Sequence, residues 1–245
     1  LLLNPDVTVP AGFLDAVLEV VADTGRAEPY AGVIGLRLCN PDGSLQGSCG
    51  RFPTLGSTLR GLLRRRAWRK CVALRLQERQ QVDWVTGGCL LVRRACFEEL
   101  GGLDESFFLY YEDVDFCRRA KLAGWQVWYE PRLTVTHHWP LHARSVPAPL
   151  RLMTRHALMR YAMKHWPARS VHHLQRLMWW ESWCRQLWSW LRGDRTGQRC
   201  YRELRRVMRG LAAGQDKHVR RCLEQMSQQL RIIAAAHDMR ADTPQ

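Results

Sequence analysis

Apolar and polar residues follow two different periods along this chain, and each period predicts an element. From Phe13 to Ala22 the apolar positions are 13, 14, 17, 18 and 21, a helical stripe. Leu1–Leu3 reads as the end of a buried strand, and Ala31–Leu38 as a short apolar strand. Asn40-Pro41-Asp42-Gly43 is a tight-turn sequence, best placed at a hairpin tip. Val82–Val92 reads as strand, turn, strand, broken by Thr86-Gly87-Gly88; paired glycines there predict a bulge or a close approach of backbone to something else. Arg94–Leu100 is a short helix stopped by Gly101-Gly102. Trp125–Tyr129 alternates as a strand, Pro131 turns it, and Leu133–Thr136 forms another that delivers His137 and His138.

The densest chemistry lies between these elements, in GGLDESFFLYYEDVDFCRR from Gly101 to Arg119. Five carboxylates (Asp104, Glu105, Glu112, Asp113, Asp115) and four aromatics (Phe107, Phe108, Tyr110, Tyr111) precede Arg118, Arg119 and Lys121, and Gly124 follows. Acid in the first turn, base in the last and glycine after it predict a helix beginning near Glu112. Acids at a helix start are common for structural reasons alone, worth roughly 0.3–1 kcal/mol each.

Beyond Pro147-Ala148-Pro149 the composition changes, which places a domain boundary between residues 148 and 149. Helical segments are predicted over Leu150–Trp166, Val171–Leu191, Arg199–Leu211 and Asp216–Ala236. The second carries Trp179, Trp180, Trp183, Trp188 and Trp190, interrupted by Arg176, Glu181 and Arg185, so it is a poor bilayer span. Tryptophan with arginine suits a helix lying in a membrane interface, residues 171–191; packing on the rest of the chain or on a second subunit is the alternative.

Charge narrows the partners. Thirty-seven basic against 23 acidic residues give +14, which predicts an anionic partner: acidic lipid, a nucleoside diphosphate or nucleic acid. No helix-turn-helix, zinc-finger or RNA-recognition signature is present, so no nucleic acid is expected. Leu59–Gln81 holds a run of arginines with Trp68, either a solvated helix face or a contact for acidic headgroups. Nine scattered cysteines without a CxxC pair argue against a disulfide framework and for a reducing, cytoplasmic compartment.

Four stretches, LLLNPDV at the start, VDWVTGGCLLVRR, GGLDESFFLYYEDVDFCRRAKLAGW and VWYEPRLTVTHHW, occur in the order of a known family. Over residues 1 to about 145 the chain resembles the second half of the domain of family 2 glycosyltransferases, especially rhamnosyltransferase-like members. The resemblance implies an α/β fold: a partial GT-A, Rossmann-like domain over residues 1–148, with the opening βαβ units missing, followed by a basic, tryptophan-rich helical tail over 149–245. It implies an inverting transfer of a sugar, rhamnose being the lean, from a nucleoside diphosphate donor to a hydroxyl of a cell-surface glycan or lipid-linked acceptor, at the inner face of the plasma membrane. A catalytically incomplete piece acting as a basic membrane-surface or nucleic-acid-binding module is the alternative.

The same resemblance implies the site. Asp113 matches the general base and Glu112 its neighbour, orienting base or acceptor. Asp6 and His137 match the ligands of a divalent cation, Mg²⁺ or Mn²⁺, with Asn4 where the family often has a second acid. Trp84, Gly87 and Gly88 match the segment lying against donor sugar and acceptor. An Asp at a strand's carboxyl end can reach a cation as a hard oxygen ligand, although Asn4-Pro5-Asp6 also makes an ordinary turn. Adjacent residues on a strand face opposite ways, so at most one of His137 and His138 faces the site, and a one-residue slip would exchange them.

Overall fold

The computed structural model describes residues 1–63, 77–138 and 147–241. It is a mixed α/β protein in two units, Leu1–Glu105 with Glu112–Ser145, and Ser106–Tyr111 with Val146–Gln245. The arginines from Arg64 to Arg75 lie outside the described residues.

In the first unit the elements run β1 (Leu2–Leu3), β2 (Val7–Thr8), α1 (Phe13–Ala27), β3 (Ala31–Cys39), β4 (Cys49–Gly50), α2 (Leu55–Leu63), β5 (Gln80–Gln81), β6 (Trp84–Val85), β7 (Cys89–Val92), α3 (Arg94–Glu99), α4 (Glu112–Leu122) and β8 (Gln126–His137). A six-stranded sheet has the order β1-β7-β3-β8-β2, with β5 also on β8; β4 and β6 form a separate pair. Among the described strands of this sheet only β3 and β8 run parallel to each other. Strand alternation sorts the faces of β3. Ile34, Leu36 and Leu38 join Phe13, Val17 and Val20 of α1 in one core. Gly35 faces the other way, where a Cβ would run into the Val85 side chain, so only glycine lets β6 come this close.

Three sequence expectations change. β1 is an edge strand with Leu1 and Leu3 exposed, not the end of a buried one, because among the described residues it pairs with β7 alone. The α1 stripe splits: Phe13 and Val17 are buried, while Leu14, Leu18 and Val21 face solvent. Pro131 does not turn the chain. β8 continues through it, and β3 skips from Glu130 to Thr134, leaving residues 131–133 as a bulge. Proline has no N–H for the ladder. The buried Glu130 carboxylate accepts from the Arg132 amide at 3.0 Å and from its guanidinium at 3.0 and 2.9 Å, which fixes the bulge. The predicted hairpin tip at Asn40–Gly43 is present: Gly43 has φ of +78°, Asp42 accepts from the Ser44 amide, and Cys39 bridges Leu45.

The second unit holds α5 (Ala148–His165), α6 (Ala168–Leu191), α7 (Arg195–Ala212) and α8 (Asp216–Ala241). α5 is buried on nearly every side and touches the other three helices. The aromatic loop belongs here too. Tyr111 packs on Tyr161 with ring centres 5.5 Å apart, and the Lys164 ammonium sits over the Phe107 ring at 5.9 Å. Inside the bundle the Arg155 guanidinium grips Glu181 through two bonds of 2.7 and 2.9 Å, and Arg185 adds a third at 2.8 Å. Burial pushes the Glu181 carboxyl up, but the two arginines outweigh it and carry it down to about 2. Among the described residues no helix is long and apolar enough to cross a membrane.

His156 gives this bundle a pH signature. Its ring is buried, and burial, aided by the nearby Arg160 charge and partly opposed by Asp216, lowers it from 6.5 to about 4. A depressed imidazole means the unfolded chain takes its proton first, so stability is full above pH 6.5 and falls as the pH drops toward 4. Denaturant titrations across that window should lose roughly 3 kcal/mol of helical-unit stability. His156→Leu should flatten the slope.

Candidate active site

The turn Thr86-Gly87-Gly88 connects β6 of the small pair to β7 of the main sheet; the two strands do not pair with each other. Each glycine carries one bond of consequence. The Gly87 amide donates to Asp113 Oδ2 at 2.8 Å, and the Gly88 carbonyl accepts the Asn4 amide at 2.9 Å. The backbone of one turn therefore ties the start of α4 to the end of β1. Asp113 Oδ1 accepts from the Val114 amide at 2.8 Å, so both oxygens are oriented by backbone donors.

Asn4 begins the turn that carries Asp6. The Asn4 carbonyl accepts from the Val7 amide at 3.3 Å, and the Asp6 carbonyl from the His138 amide at 2.9 Å. β2 then pairs with β8, setting Val7 opposite His137. This register brings Asp6 Oδ2 to 3.3 Å from His137 Nε2, while His138 turns to the Thr8 hydroxyl at 2.7 Å. Of the predicted residues, Asp6 and His137 touch directly, and Asn4, Gly87, Gly88 and Asp113 are joined by backbone bonds. Trp84 is buried and gives its indole N–H to the Arg51 carbonyl at 2.9 Å. Glu112 is half-buried as the first residue of α4.

The remaining acid of that helix has a different task. Asp115 is fully buried and bonded to the Arg119 Nε at 2.8 Å. Arg119 spends its other nitrogens on the carbonyls of Leu100 and Gly102, so this pair holds the glycine loop after α3. Just before α4, Tyr110 and Tyr111 both take positive φ, 67° and 70°, a conformation that costs non-glycine residues about 1–3 kcal/mol each. Two thiols border the turn. Burial pushes Cys89 up to about 11 and Cys117 up to about 12, so neither is a thiolate nucleophile near neutral pH.

Gln46 is a participant the sequence did not reveal. It is buried, and its amide nitrogen lies at 3.2, 2.8 and 2.7 Å from three oxygens: Cys39 O, Asn40 Oδ1 and His137 O. Only an N–H₂ group satisfies those acceptors, so the Gln46 Oε1 faces His137 Nδ1, at 2.9 Å. Nδ1 then carries the proton. In the neutral ring, Nε2 presents a lone pair toward a carboxylate oxygen, an arrangement that needs a proton or a cation between them. A carboxylate oxygen and an imidazole nitrogen 3.3 Å apart suit neighbouring ligands of a divalent ion with bonds of about 2.1 Å. Among the described residues no cluster of three or more His, Cys, Asp or Glu side chains could hold a metal. The one sequence clue to Gln46 is a lone amide flanked by Leu45 and Gly47, just past the turn.

Comparison with known proteins covers part of the chain. The family model described as glycosyltransferase like family 2 matches residues 45–158. N-acetylglucosaminyl-diphospho-decaprenol L-rhamnosyltransferase of Mycobacterium tuberculosis is 38% identical over 142 residues, 55% of this chain and 45% of that protein. The rhamnosyltransferase WbbL of Escherichia coli is 40% identical over 57 residues, 23% of this chain and 22% of its own. A low-salt glycan biosynthesis hexosyltransferase of Haloferax volcanii is 27% identical over 132 residues, 49% of this chain and 36% of its own. The chain thus spans less than half the length of these relatives.

The Gln46 assignment is open to a direct check. Nitrogen-15 NMR of labelled protein should show His137 protonated at Nδ1. Gln46→Leu should shift that ring toward a tautomer mixture, and Gln46→Glu, which keeps an acceptor, should preserve it.

Proposed function

We propose, from the match of residues 45–158 to glycosyltransferase like family 2 and the likeness to rhamnosyltransferases, that the chain transfers a sugar, L-rhamnose by likeness to its relatives, from a nucleoside diphosphate donor to a hydroxyl of a lipid-linked glycan. The observation that carries this reading is the run of bonds from Asp113 through Gly87 and Gly88 to Asn4, and on to the Asp6–His137 contact. It sets a candidate base and a candidate cation pair on one connected backbone.

In the proposed reaction the acceptor oxygen attacks the anomeric carbon from the side opposite the diphosphate, and configuration inverts. Asp113 takes the acceptor's proton as the new C–O bond forms and the bond to the diphosphate breaks. A carboxylate oxygen has more than one lone pair, so a backbone N–H bond on Oδ2 is compatible with that role. Glu112, next to it in the first turn, orients the acceptor hydroxyl. Asp6 and His137 would hold the divalent cation, with Gln46 fixing the imidazole tautomer. When bound, that cation stabilises charge on the leaving diphosphate. The Gly87-Gly88 turn lets donor and acceptor approach backbone without side chains in the way. Trp84, buried behind the turn, supports it through β6.

The test separates chemistry from binding. Asp113→Asn should lower rhamnosyl transfer by about 10²–10⁴-fold, measured as release of nucleoside diphosphate. Calorimetry should show Mn²⁺-dependent donor binding nearly unchanged in that variant and lost in Asp6→Ala. Unchanged turnover in Asp113→Asn removes this residue from the mechanism.

A further inference from the structure

α6 is amphipathic in an unusual sense: its one carboxylate faces inward and its tryptophans face out. Leu174, Met178, Ser182 and Ser189 are buried, and Glu181 is held within the bundle by Arg155 and Arg185. Away from these buried positions Trp179, Trp180, Trp183, Leu187, Trp190 and Leu191, with Trp188 at the flank, are 45–65% exposed. From Trp179 to Leu191 this face is about 18 Å long at 1.5 Å per residue, and no acidic side chain lies on it. So much exposed indole on one helix signals an interaction surface.

α7 supplies the charge. Arg195, Arg199, Arg202, Arg206 and Arg209 are all exposed and recur every three or four residues, which puts them along one side of the helix. Arg205 marks where the two surfaces meet. Its guanidinium stacks over the Trp183 ring at 4.0 Å and donates to Ser182 Oγ at 3.3 Å and to Gln186. One turn to either side of it, Arg202 and Arg209 turn to solvent. Burial first, then the charges of those two neighbours, holds the Arg205 guanidinium below its ordinary range. At the end of α6, Arg192 lies over the Trp188 ring at 4.5 Å. Between Arg169 and Arg209 there are ten arginines and three acids, and each acid is already engaged: Glu181 inside, Asp194 capping α7, Glu203 on Arg206.

We propose that the tryptophan face of α6 and the arginine stripe of α7 form one docking surface for an anionic lipid bilayer. Indole rings favour the level of the headgroups, where the ring is apolar and the N–H is wet. Arginines beside them meet lipid phosphates and acidic headgroups, at about 1 kcal/mol each. The helix would lie in the plane of the surface and not cross it. A second copy of the chain fits less well, since a two-fold contact would bring one arginine stripe toward its own image. A nucleic acid would follow the stripe and leave the indoles uncovered.

The experiment is co-sedimentation of the full chain with sucrose-loaded vesicles, either pure phosphatidylcholine or phosphatidylcholine mixed with phosphatidylglycerol. The wild type should pellet with the mixed vesicles, with a blue-shifted tryptophan emission, and be released by high salt. Trp180→Ser/Trp188→Ser/Trp190→Ser should lower partitioning at least tenfold. Arg202→Gln/Arg209→Gln should lower it about fivefold per arginine, the equivalent of about 1 kcal/mol. Circular dichroism checks each fold. Should the tryptophan variant lose helix, quenching of wild-type emission by brominated acyl chains decides in its place. A wild type left in the supernatant overturns the proposal, as does a folded triple variant that pellets like the wild type. So does self-association, or retention of RNA, that the triple variant abolishes while vesicle binding is absent. Vesicle binding needs no sugar donor, so its failure and a failure of glycosyl transfer are read separately.

Discussion

Two backbone bonds on one glycine turn govern the arrangement of the sheet unit. Gly87 gives its N–H to a carboxylate at the head of α4, and Gly88 gives its carbonyl to the residue that opens the Asp6 turn. Neither bond needs a side chain from the turn, and a bulky one would fill the space over Asp113. The elements joined in this way are far apart in sequence. Their relation rests on Gly35 as well, since that residue lets Val85 of β6 lie against β3.

The local parts of this arrangement could be read from the sequence. The acid-to-base gradient of Glu112–Lys121 and the glycine after it mark a helix by short-range rules, and the structure has α4 at Glu112–Leu122. The Asn40–Gly43 turn is likewise a matter of four residues. What could not be read depends on partners remote in sequence. Three leucines at the start announce a strand, but not that one edge would be open. Pro131 reads as a turn until β3 is seen to pair with β8 on both sides of it, at Glu130 and at Thr134. Gln46 has no signature, because its role arises only when β8 brings His137 alongside. The placement of Asp6 beside His137 follows from the β2–β8 register, which two residues of strand do not reveal in advance.

The helical unit reverses the usual reading of charge and apolarity. In α6 the charged residues look like interruptions of an apolar helix. The three-dimensional partner Arg155 explains them: a carboxylate bonded to two guanidiniums can be buried, and its burial turns the indoles outward. The same helix carries a buried carboxylate and a row of exposed indoles, and among the described residues no helix is long and apolar enough to cross a membrane.

The distribution of thiols has a practical consequence. Cys49, Cys89, Cys96, Cys117 and Cys200 are buried and pushed up to about 11 or 12, chiefly by burial. Among the described residues Cys184 is the exposed thiol, between Trp183 and Arg185 on the outer side of α6. Alkylating reagents will therefore discriminate among these sulfurs, and a polarity-sensitive maleimide dye attached at that position would convert this helix into its own optical gauge of surroundings.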